Sequence, residues 1–216
     1  MNWKSGTIGW TGFILATATT LQGLGQELPD YRNQKESCLK VSNKAIREDL
    51  VTFMISGSGE SIGKTPLRKL APDRPQKGLL TFTSPALQAA IRIGPFEPSS
   101  KKLLFEEKLL VKINGKPYQG DYGYIPHSEI KKITLLIDND TVAIPPAAYA
   151  DLYNLNLFYR DGSGQERSSH AIYFSADGSR TYLYLLNRDQ SGSYEVTWII
   201  ENKTYLRRVV DYGFTR

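Results

Sequence analysis

Between residues 153 and 210, short runs of Tyr, Val, Ile and Leu alternate with acidic turns. The turns are Asp161-Gly162-Ser163-Gly164, Asp177-Gly178-Ser179 and Asp189-Gln190-Ser191-Gly192. Asp and Ser side chains bond their own backbone in turns, and Gly supplies positive φ without a Cβ clash. The intervening runs have strand length and strand residues, which predicts an antiparallel up-and-down meander. Upstream, the pattern predicts strands over 50–55, 79–83 and 87–93, the last alternating Leu87, Ala89, Ile91 and Ile93 on one face. A strand over 103–113 should close at Asn114-Gly115, the strongest short hairpin signal. Strands over 130–137 and 141–144 follow, then one helical turn over 147–152. A short helix starting at Ser42 and a helical turn over 67–70 complete the set.

No stretch sustains a helical period for long, which excludes repeated βαβ units and a parallel sheet. The pattern therefore predicts an all-β protein. Its architecture is an antiparallel β-sandwich of about ten strands with a C-terminal up-and-down meander and one or two short helical turns. Residues 26–216 should form one domain, with 94–100 as the only candidate hinge.

Register within the meander decides which rings are free. If Leu186 lies opposite Tyr194, then Tyr184 faces Val196 and Tyr182 faces Trp198, so these rings pack together on a core face. The other face would pair Leu183 with Thr197 and Leu185 with Glu195. Carried one strand back, Tyr173 faces Tyr184, Phe174 faces Leu183, and Ile172 faces Leu185. Ile172, Phe174, Leu183 and Leu185 then form a second apolar cluster. Either the segment 43–55, with Ile46, Leu50 and Phe53, covers it as a third layer, or it is an interaction patch. Coverage by the chain itself is the expected outcome.

Composition changes this picture at the N-terminus. After Lys4 no charge appears until Glu27, and Ile8, Trp10, Phe13, Ile14 and Leu15 make a moderately apolar run. This is the three-part pattern of a secretory signal peptide over 1–25, with cleavage after Gly25 leaving Gln26 first. A membrane anchor would need about 20 mostly apolar residues, and Gly9, Gly12 and several Thr residues interrupt this run. Cys38 is the only cysteine, so no internal disulfide can form, and an exported chain must be held by packing. A bacterial periplasm or cell surface, or secretion, is the expected location.

The net charge is +5. Lys64, Arg68, Lys69, Arg74 and Lys77 cluster, but three prolines interrupt them and no aromatic is interleaved. Nucleic-acid binding is therefore not expected. Two fragments resemble catalytic loops. Gly59-Glu60-Ser61-Ile62-Gly63 matches G-x-S-x-G, the nucleophile elbow. Its setting is wrong, because Pro66 interrupts the helix that should follow and no βα units precede it. Gly63-Lys64-Thr65 ends like a phosphate loop but lacks its parallel sheet and long helix. Ser61, with His127 or His170 as base, is the only catalytic combination the chain offers, and it is a weak one.

The histidines lack zinc spacing. Asp138-Asn139-Asp140 and the acidic turns are explained by turn chemistry, so neither a metal nor a cofactor is expected. The expected function is thus a non-catalytic exported binding or interaction module of a bacterial envelope or surface. Its partner would be a protein or glycan, with the membrane met only through the leader. A glycan-directed protein, lectin-like or hydrolytic, is the alternative, and an esterase using Ser61 is the second. An exposed row of rings would favour the glycan reading; a Ser61 hydroxyl within reach of a histidine would favour the esterase.

Overall fold

The computed structural model describes residues 30–188 and 193–214; the expected leader over 1–25 and the expected acidic turn at 189–192 lie outside the described residues. Strands dominate, in antiparallel sheets, and the molecule is an all-β sandwich. One sheet has five strands in the order β1 (Arg68–Leu70), β10 (Ala171–Phe174), β11 (Arg180–Asn187), β12 (Ser193–Glu201) and β13 (Thr204–Phe214). The other has four: β2 (Leu79–Ser84), β3 (Leu87–Pro95), β6 (Ser128–Ile137) and β7 (Asp140–Thr141). Two hairpins stand apart, β4 (Leu103–Glu106) with β5 (Leu109–Ile113), and β8 (Tyr159–Arg160) with β9 (Glu166–Arg167).

In the four-stranded sheet one face is buried and one meets water, so the sequence alternates. Leu80, Phe82, Leu87, Ala89, Ile91, Ile133 and Leu135 point inward. They pack against Ile172, Leu183, Leu185, Val196, Trp198 and Ile200 of the five-stranded sheet. Trp198 is fully buried, and its indole N–H donates to the Ala148 carbonyl at 2.9 Å.

The register of the meander differs from the sequence expectation by one residue. Leu183, not Tyr182, lies opposite Trp198, and Leu185 lies opposite Val196. A one-residue slip moves every side chain to the other face. Trp198 therefore joins Ile172, Leu183 and Leu185, while Tyr182 and Tyr184 face away with Ile199 and Val209. The β10–β11 pairing is two residues off, with Ile172 opposite Leu183 and Phe174 opposite Thr181. An even shift keeps the faces, so Ile172, Phe174, Leu183 and Leu185 do share one.

That cluster is covered by the second sheet. The segment expected over it covers the opposite face instead: Cys38, Val41, Ile46, Leu50, Val51 and Met54 pack on Tyr182, Tyr184, Leu186, Ile199 and Val209. The five-stranded sheet is thus buried on both sides, and the fold has three layers.

The third layer also corrects the expected strand over 50–55. A helix, α1 (Lys44–Leu50), is capped by Asn43, whose Oδ1 accepts from the Ile46 N–H at 3.1 Å. It runs into turns through Phe53. Ile46, Leu50 and Met54 recur every four residues, a helical spacing that presents them to the sheet together. Phe53 stacks on Tyr173 with centroids 4.1 Å apart. Asp49 accepts from the Tyr182 hydroxyl at 2.6 Å and the Arg180 Nε at 3.1 Å.

Three further expectations change. Residues 68–70 form β1 rather than a helical turn, because pairing closes the open edge of β10. Residues 103–113 are two strands folded back at Glu107, whose φ is 55°. Beyond Thr141 the expected strand does not continue, and a single 3-10 turn spans Pro146–Ala148. The Asn114-Gly115 hairpin turn is present, both residues having positive φ.

Candidate functional site

The residues with catalytic potential lie apart. Ser61 follows a 3-10 turn (Ser58–Glu60), and its hydroxyl donates to the Ser58 carbonyl at 2.6 Å. His127 is exposed just before β6, its backbone N–H donating to Asn154 Oδ1 at 2.9 Å. His170 is 1% exposed. Its Nδ1 accepts from the Leu186 N–H at 3.2 Å, while its Nε2 lies 3.0 Å from the Asn156 carbonyl. Both partners are backbone groups of fixed role, so the ring is neutral with its proton on Nε2. Burial lowers its pKa to about 4, only partly opposed by the Asn156 carbonyl. Leu186 and Asn156 also line a cavity of about 260 Å³ with Phe158, Tyr159, Ser169 and Arg188. Both His170 nitrogens are engaged, so the ring offers that cavity no base. No hydrogen bond joins Ser61 to either histidine.

Cys38 is buried, and burial with the negative charge of Asp211 and Glu195 pushes its thiol up to about 12. A thiol held protonated in this way is not a nucleophile. The turn aspartates do turn chemistry. Asp161 accepts from the Ser163 N–H, the Ser163 hydroxyl and the Gln165 N–H, and Asp177 accepts from Ser175 and Ser179. Asp138 and Asp140 hold Lys203. Among the described residues no group of three or more His, Cys, Asp or Glu could hold a metal. Ile172, Leu183 and Leu185 are buried and the Phe174 ring is covered by the Arg68 guanidinium at 3.9 Å, so these four form no open patch.

The strongest polar cluster also works inward. Glu195 and Asp211 stand opposite each other on β12 and β13, both buried, facing the third layer. Glu195 accepts from the Ile55 N–H (2.9 Å), the Ser56 N–H (2.8 Å) and the Tyr184 hydroxyl (2.8 Å). Asp211 accepts from the Cys38 N–H (2.8 Å) and the Ser56 hydroxyl (3.0 Å). Burial raises the Glu195 pKa, against the pull of these donors. The two carboxylates fasten both ends of the cap segment to the sheet. Arg208 does similar work, bonded to Glu36 at 2.8 Å and Asp151 at 2.7 Å. Arg32 lies between the rings of Tyr122 and Tyr212, 4.4 Å from each centroid.

Large apolar side chains are exposed at several places, Ile62, Leu39, Tyr159 and Leu206 among them, and four more lie on the β4–β5 hairpin and the loop bridged to it. This unit has its own small core of Phe96, Leu110, Ile113, Tyr118 and Tyr153. The Tyr118 hydroxyl accepts from the Gly123 N–H at 3.0 Å and donates to the Tyr124 carbonyl at 2.8 Å. Leu110 bridges to Gly123. At Gly120 φ is 90°, and a Cβ there would lie 2.2 Å from the Tyr153 carbonyl oxygen, so only Gly fits. The loop is therefore fixed beside the hairpin. On this rigid base Tyr124 (64%), Ile125 (50%), Leu104 (46%) and Phe105 (44%) stand exposed. Tyr31 lies nearby, its hydroxyl on Glu106 and its ring under Lys112.

The apolar pattern over 103–113 reads as one strand, which hides this group. The charged triplet Glu106-Glu107-Lys108 inside an apolar run was the available signal of a turn. Among the described residues no helix is long and apolar enough to cross a membrane. No protein-family model, curated protein or solved structure matches the chain.

Proposed function

We propose that the protein is an exported, non-catalytic binding module of a bacterial envelope or cell surface. Its partner is a protein that seats on the β4–β5 surface. The observation that carries this reading is that Leu104 and Phe105 on β4 and Tyr124 and Ile125 on the loop bridged to β5 are all exposed on one braced unit. Grouped exposed apolar side chains with a polar rim mark an interaction site. Glu106, Glu107, Lys102 and Lys108 supply a rim of both signs. Leu104 and Ile125 are aliphatic and do not stack on sugar rings as aromatic faces do, which favours a protein over a glycan. The committed state of Ser61, Cys38 and His170 supports a role without chemistry.

The test is retention of the purified protein on envelopes from its native host. Retention lost after protease treatment of the envelopes supports a protein partner. Retention that survives protease and is lost after periodate oxidation replaces it with a glycan. Covalent labelling of Ser61 by a fluorophosphonate would overturn the non-catalytic reading.

A further inference from the structure

The outer face of the four-stranded sheet carries a feature of a different kind. Across β3 and β6, Arg92 stands directly opposite Lys132, and Leu79 of β2 pairs with Arg92 from the other side. Like charges directly opposite destabilise a sheet. Neither side chain has an ion pair or hydrogen bond among the described residues. Neither neighbouring acid pairs with them: Glu129 is held by Lys101 and Lys131, and Asp73 accepts from the Thr83 hydroxyl. A groove of about 190 Å³ opens between Leu79, Ala90, Arg92, Lys132 and Thr134.

We propose that this groove binds an anionic saccharide, with Arg92 and Lys132 sharing its carboxylate or sulfate group. An anion between them converts a repulsive pair into an attractive site. The small Ala90 keeps the groove floor low, and Thr134, whose hydroxyl donates to the Ala90 carbonyl at 3.4 Å, keeps its oxygen as an acceptor beside the cations. Beyond them the face continues with Thr81 and Gln88, whose side chains can bond sugar hydroxyls. Its volume lies below the ~300–1,000 Å³ of pockets that enclose a drug-sized molecule. It therefore seats one charged residue of a chain that lies along the sheet. Among the described residues no aromatic side chain of these strands stands on this face to stack a base, which argues against a nucleic acid. The loop carrying Arg74 and Lys77 enters β2 at the Arg92 end and extends the positive field. This site is on a different sheet from the β4–β5 surface, and running the envelope test on Lys132→Glu removes it from that readout, so either can fail without the other.

The experiment is calorimetric titration of the full mature chain at low salt. The probes are a galacturonic acid trisaccharide, a sulfated galactose trisaccharide, neutral galactotriose, inorganic phosphate and a short single-stranded DNA. At least one charged trisaccharide should bind more tightly than the other three probes. Lys132→Glu should weaken that binding about tenfold or more. The same change should raise the melting temperature, since it turns a like-charge pair into an opposite-charge one. Arg92→Lys should retain binding. Failure of both charged trisaccharides, equal affinity for the neutral one, equal or tighter binding of phosphate or DNA, or unchanged binding by Lys132→Glu would each overturn the proposal.

Discussion

His170 shows how a residue read as a candidate base becomes a structural one. Its folded pKa of about 4 lies below the unfolded value of about 6.5, because burial disfavours the imidazolium. Between these values the unfolded chain binds a proton that the folded chain refuses, so stability falls as pH drops from about 6.5 to about 4. At 1.36 kcal/mol per unit the loss is roughly 3 kcal/mol. Glu195 works in the opposite sense, since its raised pKa favours the folded state as pH falls. The informative quantity is therefore the difference between wild type and His170→Gln, measured by urea unfolding across that range. The variant should show a flatter acid dependence; identical pH profiles would mean that the ring is not held neutral. Trp198 is the second residue with a defined cost. Trp198→Ala removes a fully buried ring and its bond to Ala148, and should lower stability by about 3–5 kcal/mol. Thermal melting checks it, and a change under 1 kcal/mol would place the ring outside the core. Ser61→Ala, by contrast, should leave melting nearly unchanged, because its hydroxyl bonds only its own turn.

At the scale of elements, legibility followed the number of buried faces. The strands β2, β3 and β6 have one wet face, and in β3 the alternation of Leu87, Ala89 and Ile91 fixed which side chains point inward. The strands β11 and β12 are buried on both faces; β11 reads as a nearly continuous apolar run, and β12 buries Glu195 and Thr197 on the face turned to the cap. A run without alternation does not fix its register. Leu183 and Tyr182 could each oppose Trp198 on sequence grounds, and the structure selects Leu183. The apolar run over 50–55 failed for a related reason, since a short buried run does not distinguish a strand from a helix end. The cap itself was legible as a third layer, but its face depended on that register. Its attachment was not legible, because Glu195 and Asp211 meet Cys38 and Ser56 only through the fold. Glu195→Gln should test this attachment. The carboxylate accepts from three donors, and an amide nitrogen in its place would face an N–H. One buried donor left unsatisfied costs about 1–3 kcal/mol. Hydrogen exchange should accelerate at the Ile55 and Ser56 amides before it does in β11. Uniform acceleration would show that the cap and sheet open as one unit.

Across the whole molecule, the buried carboxylates, His170 and Arg208 point inward and hold three layers together, while four of the exposed large apolar side chains stand on the β4–β5 hairpin and the loop bridged to it. The proposed export makes this economical, because a chain with one cysteine has no disulfide to hold it and must rely on packing. Mass spectrometry of the protein from its host should find a chain starting near Gln26; intact Met1 in a cytoplasmic fraction would contradict export. Recognition on the β4–β5 surface is the central claim, and the double variant Phe105→Ser, Tyr124→Ser tests it most directly. Both rings are substantially exposed, so each substitution should change stability by about 0.5 kcal/mol or less. Envelope retention of this variant is measured beside wild type at a temperature where both are folded. The account predicts that retention weakens about tenfold or more. Retention equal to wild type, or a loss that merely follows unfolding, would contradict it.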